Sequence, residues 1–204
     1  MKEIAPGAFH WTARHPKIRI EVSSYYLTDS GAVLDPMVPP EEGLDWFGSR
    51  GDEPRALVLT NSHHHREAER YVEAFGIAPV LVPEPGLHEF EDKDLEVRGY
   101  GVGEEVVPGI VVHEVGAICP DDMALEVRSI GALALADGLM QYGGELNFVP
   151  DNYMDDPPET KRGLVESFRR LLDQDFDTLL FAHGDPLVGG AKQALREFVE
   201  SHDG

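Results

Sequence analysis

Four short runs, Ala56-Leu57-Val58-Leu59, Pro79-Val80-Leu81-Val82, Gly131 to Ala136 and Thr178-Leu179-Leu180-Phe181, constrain the fold of this chain more than any other feature. Each is almost wholly apolar and too short for a useful helix, so each suits a strand buried on both faces. Segments with helical spacing alternate with them. Glu67 to Phe75 is closed by Gly76, a favourable C-terminal stop. Glu159 to Gln174 gathers Leu164, Phe168, Leu171 and Leu172 on one side, and Gly190 to Ser201 does the same with Ala194, Leu195, Phe198 and Val199. Buried strands alternating with amphipathic helices predict an α/β architecture.

The N-terminal part reads as a strand meander: Phe9 to Thr12, Ile18 to Leu27 and Ala32 to Leu34, separated by Pro16-Lys17 and by the turn residues Asp29-Ser30-Gly31. Pro36, Pro39 and Pro40 end it, and Glu41 to Phe47 suits a short helix. Gly109 to His113 and Ala124 to Val127 suit further strands. No repeat, low-complexity tract or linker interrupts the 204 residues, which predicts a single domain over 1–204.

Composition narrows the partners. With 38 acidic against 17 basic residues the formal charge is −21, a field that repels phosphate backbones and anionic lipid. Neither nucleic acid nor a membrane is an expected partner, whereas a small molecule is. No apolar run approaches the length of a bilayer span and the N-terminus carries no secretory pattern, so a cytoplasmic location is expected. Cys119 is the single cysteine, which excludes an internal disulfide and a zinc site of several thiolates. It reads as a small buried residue, and Asp121-Asp122 beside it as solvated loop acids.

Chemistry collects at the ends of three apolar runs. The first is followed by Thr60-Asn61-Ser62-His63-His64-His65-Arg66, the third by Asp137-Gly138, and the fourth by His183-Gly184-Asp185. Residues at strand ends can converge on one rim of a sheet, where α/β active sites are commonly built. Singly, an Asp-Gly or a His-Gly is an ordinary turn. The recurrence is the signal.

In this order the motifs resemble those of the metallo-β-lactamase superfamily. Its members carry Thr-His-x-His-x-Asp-His after a strand, a Gly-His turn, a strand ending in Gly-Asp, and a late strand ending in His-Gly. Residues 56–66 are similar to the first motif, Val112 to Ala117 to the second, Ala132 to Gly138 to the third and Phe181 to Pro186 to the fourth. The meander ending at Leu34-Asp35-Pro36 is similar to the family's opening strands. The resemblance covers nearly the whole chain and implies a four-layer αββα sandwich with the site at one edge of the paired sheets.

It also implies ligand positions, several of them overwritten. Asn61 stands for the first His, His63 keeps the second, His65 replaces the Asp, Arg66 the last His, and Ala117 the ligand of the Gly-His turn. One metal position then retains His63 alone. The other retains His65, Asp137 and His183, a set compatible with one zinc, iron or manganese ion. Arg66 opposes that ion, and its pairing with Asp137 would leave the cleft without metal. A register shifted by two, His63-x-His65-x-Glu67, stays open. Asn61, His64 and Arg66 line the site in this reading. The implied function is a hydrolase-like protein with at most one metal, in which His65 and Asp137 carry the chemistry. The alternative is a metal-free, non-catalytic member that binds a small molecule or a protein partner in the same cleft. The substrate has no legible code in the loops.

Overall fold

The computed structural model of the protein describes residues 1–202. Seven strands form the first sheet in chain order: β1 (Lys2–Ala5), β2 (Ala8–Arg14), β3 (Glu21–Leu27), β4 (Ala32–Leu34), β5 (Ala56–Val58), β6 (Val80–Pro83) and β7 (Val97–Tyr100). The first four make an antiparallel meander, and β4 to β7 run parallel. The second sheet contains β8 (Glu105–Val107), β9 (Ile110–Glu114), β10 (Met123–Val127), β11 (Ala132–Leu135), β14 (Thr178–Phe181) and β15 (Leu187–Val188). Within it β11 and β14 are parallel. A hairpin of β12 (Met140–Tyr142) and β13 (Glu145–Asn147) stands apart. The helices are α1 (Asp45–Ser49), α2 (Ala68–Phe75), α3 (Pro157–Leu171) and α4 (Ala191–Ser201).

The period of two along each apolar strand builds the layers. Leu57 of β5 faces outward with Phe47, Ala68 and Tyr71 of α1 and α2, while Ala56 and Val58 face the second sheet. On the other side Leu133, Leu135, Leu179 and Phe181 meet Leu164 and Phe168 of α3 and Leu195 and Phe198 of α4. Their neighbours Ala132, Ala134 and Leu180 turn inward against Tyr25, Leu34 and Val58. Helices, sheet, sheet, helices is the αββα sandwich expected.

Local chemistry sets the element ends. Gly76, at φ 66°, closes α2 with its N–H on the Val72 carbonyl, as its position predicts. Helix α3 starts two residues before the expected Glu159, because Asp156 caps the Glu159 N–H at 3.1 Å and Pro157 fits the first turn. The strand expected from Ile18 begins only at Glu21, since the hairpin turn carries Arg19 at φ 60°. Strands β1, β7, β8, β12, β13 and β15 are not expected from the sequence; they are two to four residues long, too short to carry a period. Among the described residues no helix is long and apolar enough to cross a membrane.

Candidate metal centre

Register brings two of the predicted residues together. Leu135 of β11 pairs with Phe181 of β14, so Asp137 and His183, each two residues further on, leave the sheet side by side. His183 Nε2 lies 3.0 Å from Asp137 Oδ1. From the first sheet, β5 leads through Thr60 into a 3₁₀ turn over Ser62–His65, whose start is capped by Asn61 Oδ1 accepting from the His63 N–H at 2.9 Å.

Such a turn has three residues per revolution, so three consecutive histidines point in three directions. His63 is exposed. His65 turns to the Ser62 carbonyl (3.3 Å) and stands edge-on to Phe90. His64 alone points into the cleft, with Nε2 3.2 Å from the same Asp137 oxygen. The ligand atoms of His64, Asp137 and His183 all lie within 4.8 Å of one another. His63 and His65 therefore do not join Asp137 and His183 as expected: alternate residues share a side only in extended backbone, and the backbone here is coiled. The shifted register fails for the same reason, and the carboxylate of Glu67 serves the Val38 N–H instead (2.7 Å).

Behind His64 stands a residue absent from the expected site. Asp35, 3% exposed and at φ 49°, accepts from the Thr60 N–H (2.8 Å) and hydroxyl (2.7 Å) and lies 3.1 Å from His64 Nδ1. The imidazole is thereby oriented from behind, with Nε2 presented to the cleft. Burial opposes a charge on His64, but the Asp137 and Asp35 carboxylates outweigh it and lift its pKa to about 9. Burial likewise works against the Asp137 anion, and His64 and His183 together hold it well below the usual carboxylate range. Only the Leu34-Asp35-Pro36 match pointed to this residue in the sequence.

Arg66 does not pair with Asp137 as expected. At φ 44° the chain turns its guanidinium into the gap between the two sheets, where it donates to the carbonyls of Ser23 (2.5 Å), Asp35 (2.9 Å) and Ala182 (3.4 Å). Asp35 and Ala182 directly follow β4 and β14, Ser23 lies within β3, and the fork of donors satisfies the three carbonyls together.

Among the described residues, those that the resemblance assigns to the other metal form no cluster of His, Cys or acids. Asn61, fully buried, donates to Cys119 Sγ at 3.2 Å. Burial and the two neighbouring acids push the Cys119 thiol far above its ordinary pKa, which favours the thiol over the thiolate. Asp121 and Asp122 are buried rather than solvated: Asp121 accepts from the Ser62 N–H (3.0 Å) and Asp122 from the Asp137 N–H (3.3 Å). Burial and the nearby Asp137 raise Asp122 well above the carboxylate range. Ala117 packs towards α3, where a Cβ on Gly163 would stand 3.0 Å from its own.

His64, Asp137 and His183 form a donor set that fits one transition metal. Two of the three ligand pairs are separated by 3.0 and 3.2 Å, the spacing of atoms that each lie about 2 Å from a common ion. The oriented His64 has the carboxylate–imidazole pairing typical of metal-bound histidine. His183 Nδ1 has no such support and is buried without a hydrogen-bond partner among the described residues. Beside His183 opens a cleft of about 420 Å³, lined by Glu21, Ser23, Tyr142, Gly184 and Asp185 among others.

Layers and topology are those of the metallo-β-lactamase fold, and solved structures match it over essentially the whole chain. A metallo-β-lactamase family protein from Thermus thermophilus is 16% identical, with 98% of this chain and 81% of that one covered at a TM-score of 0.66. A metallo-β-lactamase from Pontibacter korlensis is 13% identical over 99% and 97% of the two chains, at 0.73. A protein solved in a di-iron-bound form is 20% identical over 94% of each, at 0.61. At such identities the likeness is one of fold. No protein-family model and no curated protein matches the sequence.

Proposed function

We propose that the protein is a hydrolase that works with one divalent transition metal, zinc, iron or manganese, held by His64, Asp137 and His183. The convergence of two imidazole nitrogens on one oxygen of Asp137 is the observation that carries this reading. A metal bound there lowers the pKa of a water and polarises a carbonyl or phosphoryl oxygen. The chain's own residues do the rest. Asp35 and Thr60 fix the tautomer and angle of His64, and Asp137 supplies the negative charge that balances the cation. Arg66 ties the rims of both sheets together, so the ligands from β5, β11 and β14 keep their spacing. The second position, where Asn61 and Cys119 pair with each other, supports one metal rather than two.

One observation favours the metal-free alternative, in which the cleft binds a small molecule or a protein without catalysis. His64 is held between two carboxylates, and as an imidazolium it balances much of their charge unaided. Metal analysis of protein purified without added metal or chelator separates the two. One transition-metal ion per chain is expected, with hydrolysis of a generic ester or phosphoester substrate that ceases on chelation. Metal-free protein that takes up no zinc, iron or manganese on dialysis would overturn the hydrolase reading.

A further inference from the structure

Of the three candidate ligands, His183 is the one whose ring no side chain orients from behind. Asp35 and Thr60 fix His64, whereas His183 Nδ1 is buried without a hydrogen-bond partner among the described residues. Its Nε2 nevertheless lies 3.0 Å from Asp137 Oδ1. The aim of this ring is therefore set by packing and by the backbone that carries it, and that backbone is held at every peptide.

Three carbonyls in succession each receive a donor. The Ala182 carbonyl accepts from the Ser23 N–H (2.9 Å) and from Arg66 (3.4 Å), the His183 carbonyl from the Gln141 N–H (3.2 Å), and the Gly184 carbonyl from the Ser23 hydroxyl (2.7 Å). The peptide planes on both sides of the His183 Cα are thereby fixed, and so is the plane after them. That last bond matters because Gly184 stands at φ 107°, where a residue without a Cβ imposes little conformation of its own. One residue of the other sheet supplies two of these donors. Ser23, fully buried on β3, reaches across the seam with both its N–H and its hydroxyl. The N–H is available because β4 pairs only with Tyr25, Tyr26 and Leu27 of this strand.

The direction of the hydroxyl is itself imposed. It owns one proton, given to Gly184, so at its contact with His10 Nε2 (3.0 Å) it accepts. Burial pushes the pKa of His10 from 6.5 down to about 4, which keeps this imidazole neutral, and its single N–H goes to Ser23. The ring also stacks on Tyr25, with centroids 5.0 Å apart and planes 28° from parallel. His10, Ser23 and Gly184 thus form a chain of directed bonds that ends one residue from His183.

We infer that Ser23 is a positioning residue for His183: by holding the chain before and after it, Ser23 aims Nε2 at Asp137 and so sets the distance between two of the three ligand atoms. This inference rests on the single-metal reading for the word ligand.

Two measurements on the full chain test it together: zinc affinity by competition with a chromophoric chelator, and the ring N–H resonance of His183 in metal-free protein with isotope-labelled histidine. Ser23→Ala should weaken zinc about tenfold or more, the effect of removing a group that supports a ligand, and should shift or broaden the His183 resonance. Ser23→Cys, close in shape but a weak donor, should fall between Ser23→Ala and the wild type in both readouts, and carries the test if Ser23→Ala does not fold. Tyr25→Phe is the control for mere loosening of the seam. It removes a hydroxyl bonded to both backbone groups of Phe181, and should lower stability in urea while leaving zinc affinity and the His183 resonance as in the wild type. An unmoved His183 resonance in the Ser23 variants would overturn the proposal, as would equal losses of zinc affinity in Ser23→Ala and Tyr25→Phe. A wild-type chain that binds no zinc, with a His183 resonance that still responds to Ser23→Ala, would keep the positioning role and remove the hydrolase reading.

Discussion

His64 can be separated from its two neighbours by substitution. His64→Ala should abolish binding of zinc, iron and manganese alike, whereas His63→Ala and His65→Ala should leave metal stoichiometry unchanged, as measured by elemental analysis after dialysis. Equal losses from all three would mean that the turn is not coiled as described. His10 gives a prediction at the same scale but away from the His64–Asp137–His183 cluster. It is 7% exposed, with Nε2 3.0 Å from the Ser23 hydroxyl, and burial lowers its pKa from 6.5 to about 4. A folded-state pKa below the unfolded value means that the unfolded chain binds the proton first, so stability falls as pH drops from 6.5 towards 4. The loss amounts to at most ~3 kcal/mol at 1.36 kcal/mol per pH unit. His10→Gln should flatten that stretch of a denaturation-against-pH curve, and an unchanged slope would show that His10 titrates normally.

At the scale of elements, the two sheets are joined near the site by few polar contacts, each of which is open to test. The Tyr25 hydroxyl of β3 donates to the Phe181 carbonyl (2.9 Å) and accepts from the Phe181 N–H (3.0 Å), and the Ser23 N–H donates to the Ala182 carbonyl (2.9 Å). Arg66 adds its three carbonyl bonds to the same seam. Arg66→Lys keeps the charge but cannot span three acceptors, and should cost about 2 kcal/mol in urea unfolding. Gly184 fixes the loop after β14 more rigidly still. At φ 107° its Cβ would lie 1.9 Å from the Gln141 carbonyl oxygen, so Gly184→Ala should destabilise the chain by about 3 kcal/mol and shift the adjoining β12–β13 hairpin. Retention of wild-type stability by Gly184→Ala would show that this approach is not as close as described. The elements themselves were legible wherever apolar residues ran unbroken or a cap was present, as at Gly76. Short strands such as β8 and β12 were not, because two or three alternating residues carry no period.

For the whole molecule the dominant fact is a charge of −21 spread over 204 residues. Self-repulsion of that size opposes the compact state, and salt screens it over roughly 3 Å at 1 M against 10 Å at 0.1 M. The melting temperature should therefore rise between those two concentrations of sodium chloride in calorimetry; a flat or falling trend would show that local ion pairs outweigh the net charge. What the sequence determined by itself was a set of strands buried on both faces, three of which end in candidate site residues, while the four-layer order was what the family resemblance implied. Apolar tetrapeptides must be covered on both faces, and that requirement is local enough to read from residues 56–59, 131–136 and 178–181. Asp137 and His183 came with it, since they follow such strands directly. Only the tertiary structure decided which histidine joins them, where Arg66 points and that Asp121 and Asp122 are buried. The direction of a side chain in a coiled turn depends on backbone angles set by distant partners: Asp35 gripping Thr60, Asp121 receiving the Ser62 N–H, and the inter-sheet gap that takes the guanidinium.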